Sequence, residues 1–417
     1  MKHRYLTPIF LSAALFSGFL TSCSDKNDGP EEPSGEIKKT ILLYAVASNN
    51  LYSNLKNDKH EIILAAKDMD LKHYSLLLYQ VTPEGNPQLL ELRKKGEDAE
   101  FVPVKEYDRA LYSTDPERIS EVIDDACSFR KAKSYGLILW SHALGWSPFF
   151  SERDNHPASS AVSPSKQSSA NILSGELSKA DLVMQYSFGS DTNSETNYTD
   201  KIDIDDLASA IPDHRFEFIW FDACMMSGIE TIYELRDKCE YFGAYPTEVF
   251  SPGMPYDLTL PYLLKEKSDL RGCAEAFFNY YAHNSNSYLQ VATVAVMDMS
   301  KLEDVASYCK KAYSSTEPPS TVGMNYYSGS QRVAYPYYDF GQYTKALASQ
   351  NEENDVDEFK KLMDKFVIYK AATEKEFMGN RLNLDEYSGI SCHVYKPTQS
   401  GKNIEFYKSL DWFKRVY

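Results

Sequence analysis

The chain has 417 residues, a net charge of −16, and 43% hydrophobic and 13% aromatic residues. That much apolar material can build a large core, and the length fits one large α/β domain with insertions or more than one domain. An acidic chain does not track a phosphate backbone, which argues against a nucleic-acid partner; cationic segments of peptide or protein would be attracted.

The N-terminus reads as an export signal. Lys2, His3 and Arg4 form a positive region, and the apolar stretch from about Leu6 to Leu20 is too short for a membrane-spanning helix. Leu20-Thr21-Ser22-Cys23 resembles the bacterial lipoprotein signal, in which the Cys becomes the lipidated first residue; the alternative is an ordinary secretory signal with a chance Cys. Residues 1–22 are therefore expected to be the signal and Cys23 the lipidation site. Residues 23–37, acidic with Gly29, Pro30, Pro33 and Gly35, are expected to tether a domain to a membrane at the cell surface or in the periplasm.

Lys39–Ala47 is a near-continuous apolar strand, as a central parallel strand should be. A helix follows to about Met69, with Ser48 or Asn49 as N-cap. Tyr74–Val81 is a second strand, and Gln88–Leu92 and Phe101–Val104 are short antiparallel additions. Asp115-Pro116 opens a helix to about Lys131, and Tyr135–Ser141 is the third main strand. Ser151–Asp200 is rich in Ser, Asn, Asp and Thr, with little apolar periodicity outside Ile172–Gln185; it reads as an irregular insert (151–201) carrying Arg153, Lys166 and Lys179, with Lys201 at its end. Beyond it, helical pattern covers Ile204–Ala210, Met226–Lys238, Asp257–Lys265, Leu270–His283, Lys301–Ser314, Gly341–Leu347 and Asp355–Ala372. Strand pattern covers Phe216–Phe221, Tyr241–Tyr245, Leu289–Met297 and Gly389–Tyr395. Alternating strands and helices predict a parallel or mixed sheet covered on both faces.

Two of these strands end on reactive residues. Tyr135–Ser141 runs into His142, and Phe216–Phe221 into Asp222-Ala223-Cys224. If they are parallel neighbours, an imidazole and a thiol meet at the carboxyl edge of one sheet, where open α/β sheets place their sites. Alone, a buried structural Cys or a satisfied His is the ordinary reading of either residue. Their joint occurrence points to a nucleophile–base pair. A helix starting just after Cys224 would lower the thiol pKa, and the backbone N–H groups of Ala143 and Cys224 are the natural oxyanion donors. Asp222, two residues before Cys224, points to the same side. It could bind a cationic substrate side chain, cap the following helix or pair with an internal base. His60, His73, His156, His214, His283 and His393 lack such a setting. Cys127, Cys239, Cys273, Cys309 and Cys392 show no CxxC spacing, so zinc is not indicated; buried free thiols are expected at Cys127, Cys273, Cys309 and Cys392.

The strings Tyr135-Gly-Leu-Ile-Leu-Trp-Ser-His142-Ala-Leu-Gly-Trp146 and Phe221-Asp-Ala-Cys224-Met-Met-Ser-Gly-Ile-Glu230, continuing through Tyr233–Arg236, resemble the clostripain family of cysteine peptidases. Weaker echoes are Ala47–Leu51, Pro252-Gly253 with Pro255-Tyr256, and Tyr387–Ser391, so the likeness spans about residues 38–395. The resemblance implies a caspase-like three-layer α/β sandwich, with a mostly parallel sheet and a smaller C-terminal α+β extension; 396–417 would be a terminal segment. It also implies a His142–Cys224 dyad, Asp222 at the base of an S1 pocket favouring Arg or Lys, and self-cleavage within 151–201. No cofactor is required; some relatives respond to calcium, but no acidic loop of EF-hand spacing is seen. The family usually has Gly where this chain has Ala143, and acidic residues after Ala-Ser where it has Ala244–Glu248. A site needing positive φ after the His would be distorted by Ala143. The rival expectation is therefore a catalytically weak relative acting as a binding lipoprotein; an amidase or transpeptidase would share the dyad.

Overall fold

The computed structural model describes residues 29–33, 35–148, 188–313, 317–327 and 336–417. The signal, Cys23, His156, and Arg153, Lys166 and Lys179 of the insert lie outside the described residues. In chain order the first half contains β1 (Ile37–Val46), α1 (Tyr52–Ala65), β2 (Tyr74–Val81), β3 (Gln88–Lys95), β4 (Asp98–Glu106), α2 (Pro116–Phe129), β5 (Ala132–Trp140), β6 (Phe188–Thr192), β7 (Thr199–Ile202), α3 (Ile204–Ala210) and β8 (Phe216–Asp222). Then come α4 (Ile229–Glu234), β9 (Cys239–Ala244), α5 (Tyr256–Leu263), α6 (Leu270–Ala282), β10 (Thr293–Asp298), α7 (Leu302–Tyr313), β11 (Tyr337–Asp339), α8 (Phe340–Ala348), α9 (Val356–Phe366), β12 (Val367–Ala372), β13 (Ser391–His393), α10 (Lys402–Ser409) and α11 (Asp411–Val416).

Nine strands form the main sheet in the order β12-β10-β9-β8-β5-β1-β2-β3-β4. The five inner strands from β9 to β2 run parallel, and antiparallel pairs extend both flanks. The apolar runs of β1, β5 and β8 are buried on both faces, as central parallel strands must be. Strand alternation divides the core: Leu42, Tyr44 and Val46 face the layer of α2, α3, α4 and α7, while Ile41, Leu43 and Ala45 face α1, α5 and α6. Each fully buried Ile or Leu contributes about 1.5–3 kcal/mol of hydrophobic stabilisation. The result is the three-layer sandwich expected.

Several sequence expectations need correction. The segment predicted as one helix over Asp355–Ala372 breaks at Phe366, and β-branched Val367-Ile368 opens β12, which pairs with β10. Met226–Lys238 contains only the six-residue α4, because the chain after Cys224 first makes a turn tied to the β9 exit by Met225 N–H to Thr247 C=O and Ser227 N–H to Tyr245 C=O. Neither Ser48 nor Asn49 caps α1; its N-cap is Leu51, without a side-chain cap bond. The strand near Gly389–Tyr395 joins β11 rather than the main sheet. Within the expected irregular insert, β6 and β7 form an ordered hairpin and Lys201 is buried in β7, which removes Lys201 as an accessible cleavage point. The tether is already docked at its end: Glu31 N–H donates to Lys94 C=O, and Glu32 pairs with Arg93. The segment after residue 395 is part of the core, with Trp412 and Tyr407 buried and α11 packed on α4 and α7.

Candidate active site

β5 and β8 are hydrogen-bonded parallel neighbours, with Trp140 opposite Asp222. His142 and Cys224 each lie two residues beyond that pair, so both emerge at the same carboxyl edge. Both are half-buried. Their loops touch: a Cβ on Gly145 would lie 3.1 Å from the Met225 carbonyl oxygen and 3.0 Å from the Tyr337 hydroxyl. Gly145 has φ +72°, so glycine meets both the close approach and the left-handed backbone there. Met225 also adopts positive φ, +61°, directly after Cys224. For a side chain of that size this conformation costs about 1–2 kcal/mol, and the hydrogen bond from its N–H to Thr247 helps hold it.

The Cys224 sulfur receives the Val249 N–H at 3.4 Å. While the Val249 carbonyl, 3.8 Å from the sulfur, accepts from the thiol form, a donor aimed at sulfur favours the thiolate. The helix dipole expected to do this is displaced, since α4 begins at Ile229 behind the Met225 turn and a helix end acts only over its first turn. His142 Nε2 lies 2.8 Å from Asn50 Oδ1, on the loop after β1. The His142 carbonyl accepts from Gly189 N–H of β6. This makes the Ala143–Phe188 bridge a non-hydrogen-bonded pair, so the Ala143 N–H points away from β6. Ala143 is not among the residues with positive φ, so its Cβ brings none of the strain anticipated from the Gly-to-Ala departure.

Asp222 neither caps α4 nor pairs with a described base. Its carboxylate accepts from the Met254 N–H at 3.1 Å and the Tyr256 hydroxyl at 3.1 Å, in the loop leading into α5. Gly253, at φ +63°, lets that loop close over it, since a Cβ there would sit 3.0 Å from Asp222 Oδ2. Two further carboxyls lie on α1 below. Glu61 accepts from the Tyr256 N–H at 2.9 Å. Asp58 is 2% exposed, faces the Trp140 side chain, and leaves Oδ2 buried without a hydrogen-bond partner. No described Lys or Arg forms an ion pair with any of the three. Burial is the main cause of their raised pKa values: Asp58 is pushed up to about 9, reinforced by the charges of Asp222 and Glu61; Glu61 to about 7; Asp222 to about 6, partly offset by its Met254 and Tyr256 donors.

Sequence reading singled out neither α1 carboxyl, yet a signal exists. Leu55, Asp58, Ile62 and Ala65 share the buried face of α1, so Asp58 is an acid at a core position. Val249 lacked any such signal, because its role is carried by a backbone N–H. His393, set aside earlier, is buried and packs on Trp146 with ring centroids 5.3 Å apart, behind the His142 loop; its pKa is lowered to about 4 by burial. Cys127, Cys224, Cys239, Cys273, Cys309 and Cys392 form no disulfide among the described residues; Cys127, like Cys224, is half-buried, and the other four are buried.

The model of the clostripain family matches residues 43–180 and 175–415. No curated protein matches the sequence. Among solved structures, a secreted C11 cysteine protease from Bacteroides thetaiotaomicron bound to an irreversible peptide inhibitor superposes with TM-score 0.74 at 24% identity, over 91% of this chain and 99% of that one. That likeness shows the shared caspase-like fold. An inactive zymogen C11 protease from Parabacteroides distasonis gives TM-score 0.70 at 26% identity, over 92% of this chain and 99% of that one. The matched segments include the strands that end at His142 and Cys224, and the chain belongs to the clostripain family of cysteine-type peptidases.

Proposed function

We propose that the chain cleaves peptide bonds after Arg or Lys through a Cys224 thioester. The observation that carries this reading is the single sheet edge where Cys224 and His142 emerge beside the end of β8, whose buried Asp222, like buried Asp58 and half-buried Glu61 on α1, forms no ion pair with a described Lys or Arg. The Cys224 thiolate attacks the scissile carbonyl carbon. The oxyanion is received by the N–H groups of Ala143 and Cys224, and His142 gives its proton to the leaving amine. Water, deprotonated by His142, then attacks the thioester carbonyl, releasing the acid and the Cys224 sulfur. Asp222 meets the cationic side chain at the base of its pocket. No step calls for a metal or other cofactor. Cys23 would carry a lipid anchor, placing the enzyme on a membrane facing the cell surface or periplasm, and residues 151–201 would be the site of self-processing. Among the described residues no helix is long and apolar enough to cross a membrane.

A second reading, a weak or inactive peptidase-like lipoprotein that binds peptides, is favoured by one observation: the Parabacteroides neighbour is described as an inactive zymogen. The unstrained Ala143 backbone argues against it. A fluorogenic peptide with Lys or Arg at P1 separates the two. Turnover that Cys224→Ala abolishes is expected; an intact Cys224 with no turnover of any basic-P1 peptide would favour binding.

A further inference from the structure

We propose that Asn50 is the positioning residue of the site, holding the His142 ring in the tautomer and orientation that Cys224 requires. The inference rests on the peptidase reading above. Asn50 Oδ1 lies 2.8 Å from His142 Nε2. An amide oxygen only accepts, so this contact selects the tautomer with the proton on Nε2, in which Nδ1 is the basic ring nitrogen. When the imidazolium forms, the Nε2–H keeps its acceptor. A neutral amide orients the ring without the negative charge that would hold the second proton on it.

The surroundings of Asn50 are built to fix this contact. Asn49 donates through Nδ2 to the carbonyls of Val46 at 2.9 Å and Ser190 at 2.7 Å, and its Oδ1 accepts from Leu51 N–H at 2.8 Å. Asn49 thus clamps the chain on both sides of Asn50. Ser48 Oγ donates to Thr192 C=O at 2.6 Å, and Thr192 N–H returns to Ser48 C=O at 2.9 Å. The same strand, β6, reaches the His loop through Gly189 N–H to His142 C=O at 3.0 Å. Ser141 Oγ closes the circuit by donating to Val46 C=O at 2.8 Å. One short strand therefore grips both the Asn50 loop and the His142 loop, fixing their separation. Asn50 touches no reacting atom in this scheme; it acts through His142.

The test compares Asn50→Ala and Asn50→Asp with the unaltered full chain. It reads kcat and KM on a Lys-P1 peptide, and the pH profile of Cys224 alkylation by iodoacetamide, which does not need the carboxyl pocket. Asn50→Ala should lower kcat roughly 10–100-fold, the range of a misplaced acid–base group, with KM within about twofold. Its alkylation profile should lose the low-pH limb and approach that of an ordinary thiol. Asn50→Asp should restore most of kcat, because its oxygen still accepts, and should move the alkaline limb to higher pH by stabilising the imidazolium. Unaltered kcat and profile in Asn50→Ala, or an Asp variant no better than Ala, would overturn the assignment. If the unaltered chain cleaved no basic-P1 peptide, the substrate reading would fall, and the alkylation profiles alone would decide on Asn50.

Discussion

The carboxyl edge of the sheet carries two unlike halves. On one, Cys224 and His142 are half-buried, with the Val249 N–H on the sulfur and the Asn50 amide oxygen on the ring among their partners. On the other, Asp58, Glu61 and Asp222 have raised pKa values and form no ion pair with a described Lys or Arg. The first half is arranged for reactivity at modest cost. The second holds acids where ionisation is expensive, a cost that a bound cation would offset. On the proposed function the first half performs the chemistry and the second selects the substrate, so variants on either side should fail differently.

The largest effect belongs to the reactive half. Cys224→Ala should leave only background hydrolysis, and His142→Ala should lower kcat by roughly 10³-fold or more while the protein still binds a basic-P1 peptide; single-turnover kinetics would check both. On the acidic half, Asp222→Asn should lower kcat/KM for Lys- or Arg-P1 peptides by roughly 10²-fold, mostly through KM, yet leave iodoacetamide alkylation of Cys224 near normal. Equal loss of both readouts would mean that Asp222 supports the loop and not the substrate. The same carboxyl gives a pH signature. Asp222 is held near 6, so KM for basic-P1 peptides should fall as pH rises through about 6, and Asp222→Asn should erase that dependence.

Stability should move the other way. Asp58, Glu61 and Asp222, with Glu230 raised to about 8 by burial, all have folded-state values above those of an unfolded chain. The folded protein therefore binds more protons from about pH 4 upward, and stability is lost as pH rises through roughly 6 to 9. Thermal melting should be higher at pH 5.5 than at pH 8.5. Asp58→Asn should flatten that slope and stabilise the protein at pH 8.5 by on the order of 1–2 kcal/mol. The smallest effect is expected at Ala143→Gly. Because Ala143 does not need positive φ, kcat should change by less than about threefold; a large gain would show that the Cβ obstructs the oxyanion site.

The parallel strands and the two residues that end them were legible because an apolar run stopped by a reactive side chain is a local pattern, and β1, β5 and β8 each carry it. What escaped depends on contacts distant in sequence. Val249 acts on Cys224 through its backbone, and Asn50 meets a histidine 92 residues away, so neither has a local signature beyond the weak Ala47–Leu51 echo. The α4 expectation failed because apolar periodicity does not register a turn at Met225 whose bonds come from the β9 exit. β12 was missed because the periodic face of α9 runs up to Phe366 and masks the β-branched pair that follows. Asp58 was present as a signal, an acid on an apolar helical face, and its meaning appears only with Trp140 and Asp222 beside it.

The central claim, that Cys224 and His142 form one site beside a carboxyl pocket, is tested most directly by covalent trapping. The full chain would be treated with a peptidyl acyloxymethyl ketone bearing Lys at P1, and the adduct mapped by mass spectrometry. A single adduct on Cys224 is expected, formed far more slowly in His142→Ala and in Asp222→Asn, and slowly by the same reagent with a neutral P1. An adduct on another cysteine, or labelling of Cys224 at the same rate whatever stands at P1 and at residues 142 and 222, would contradict it.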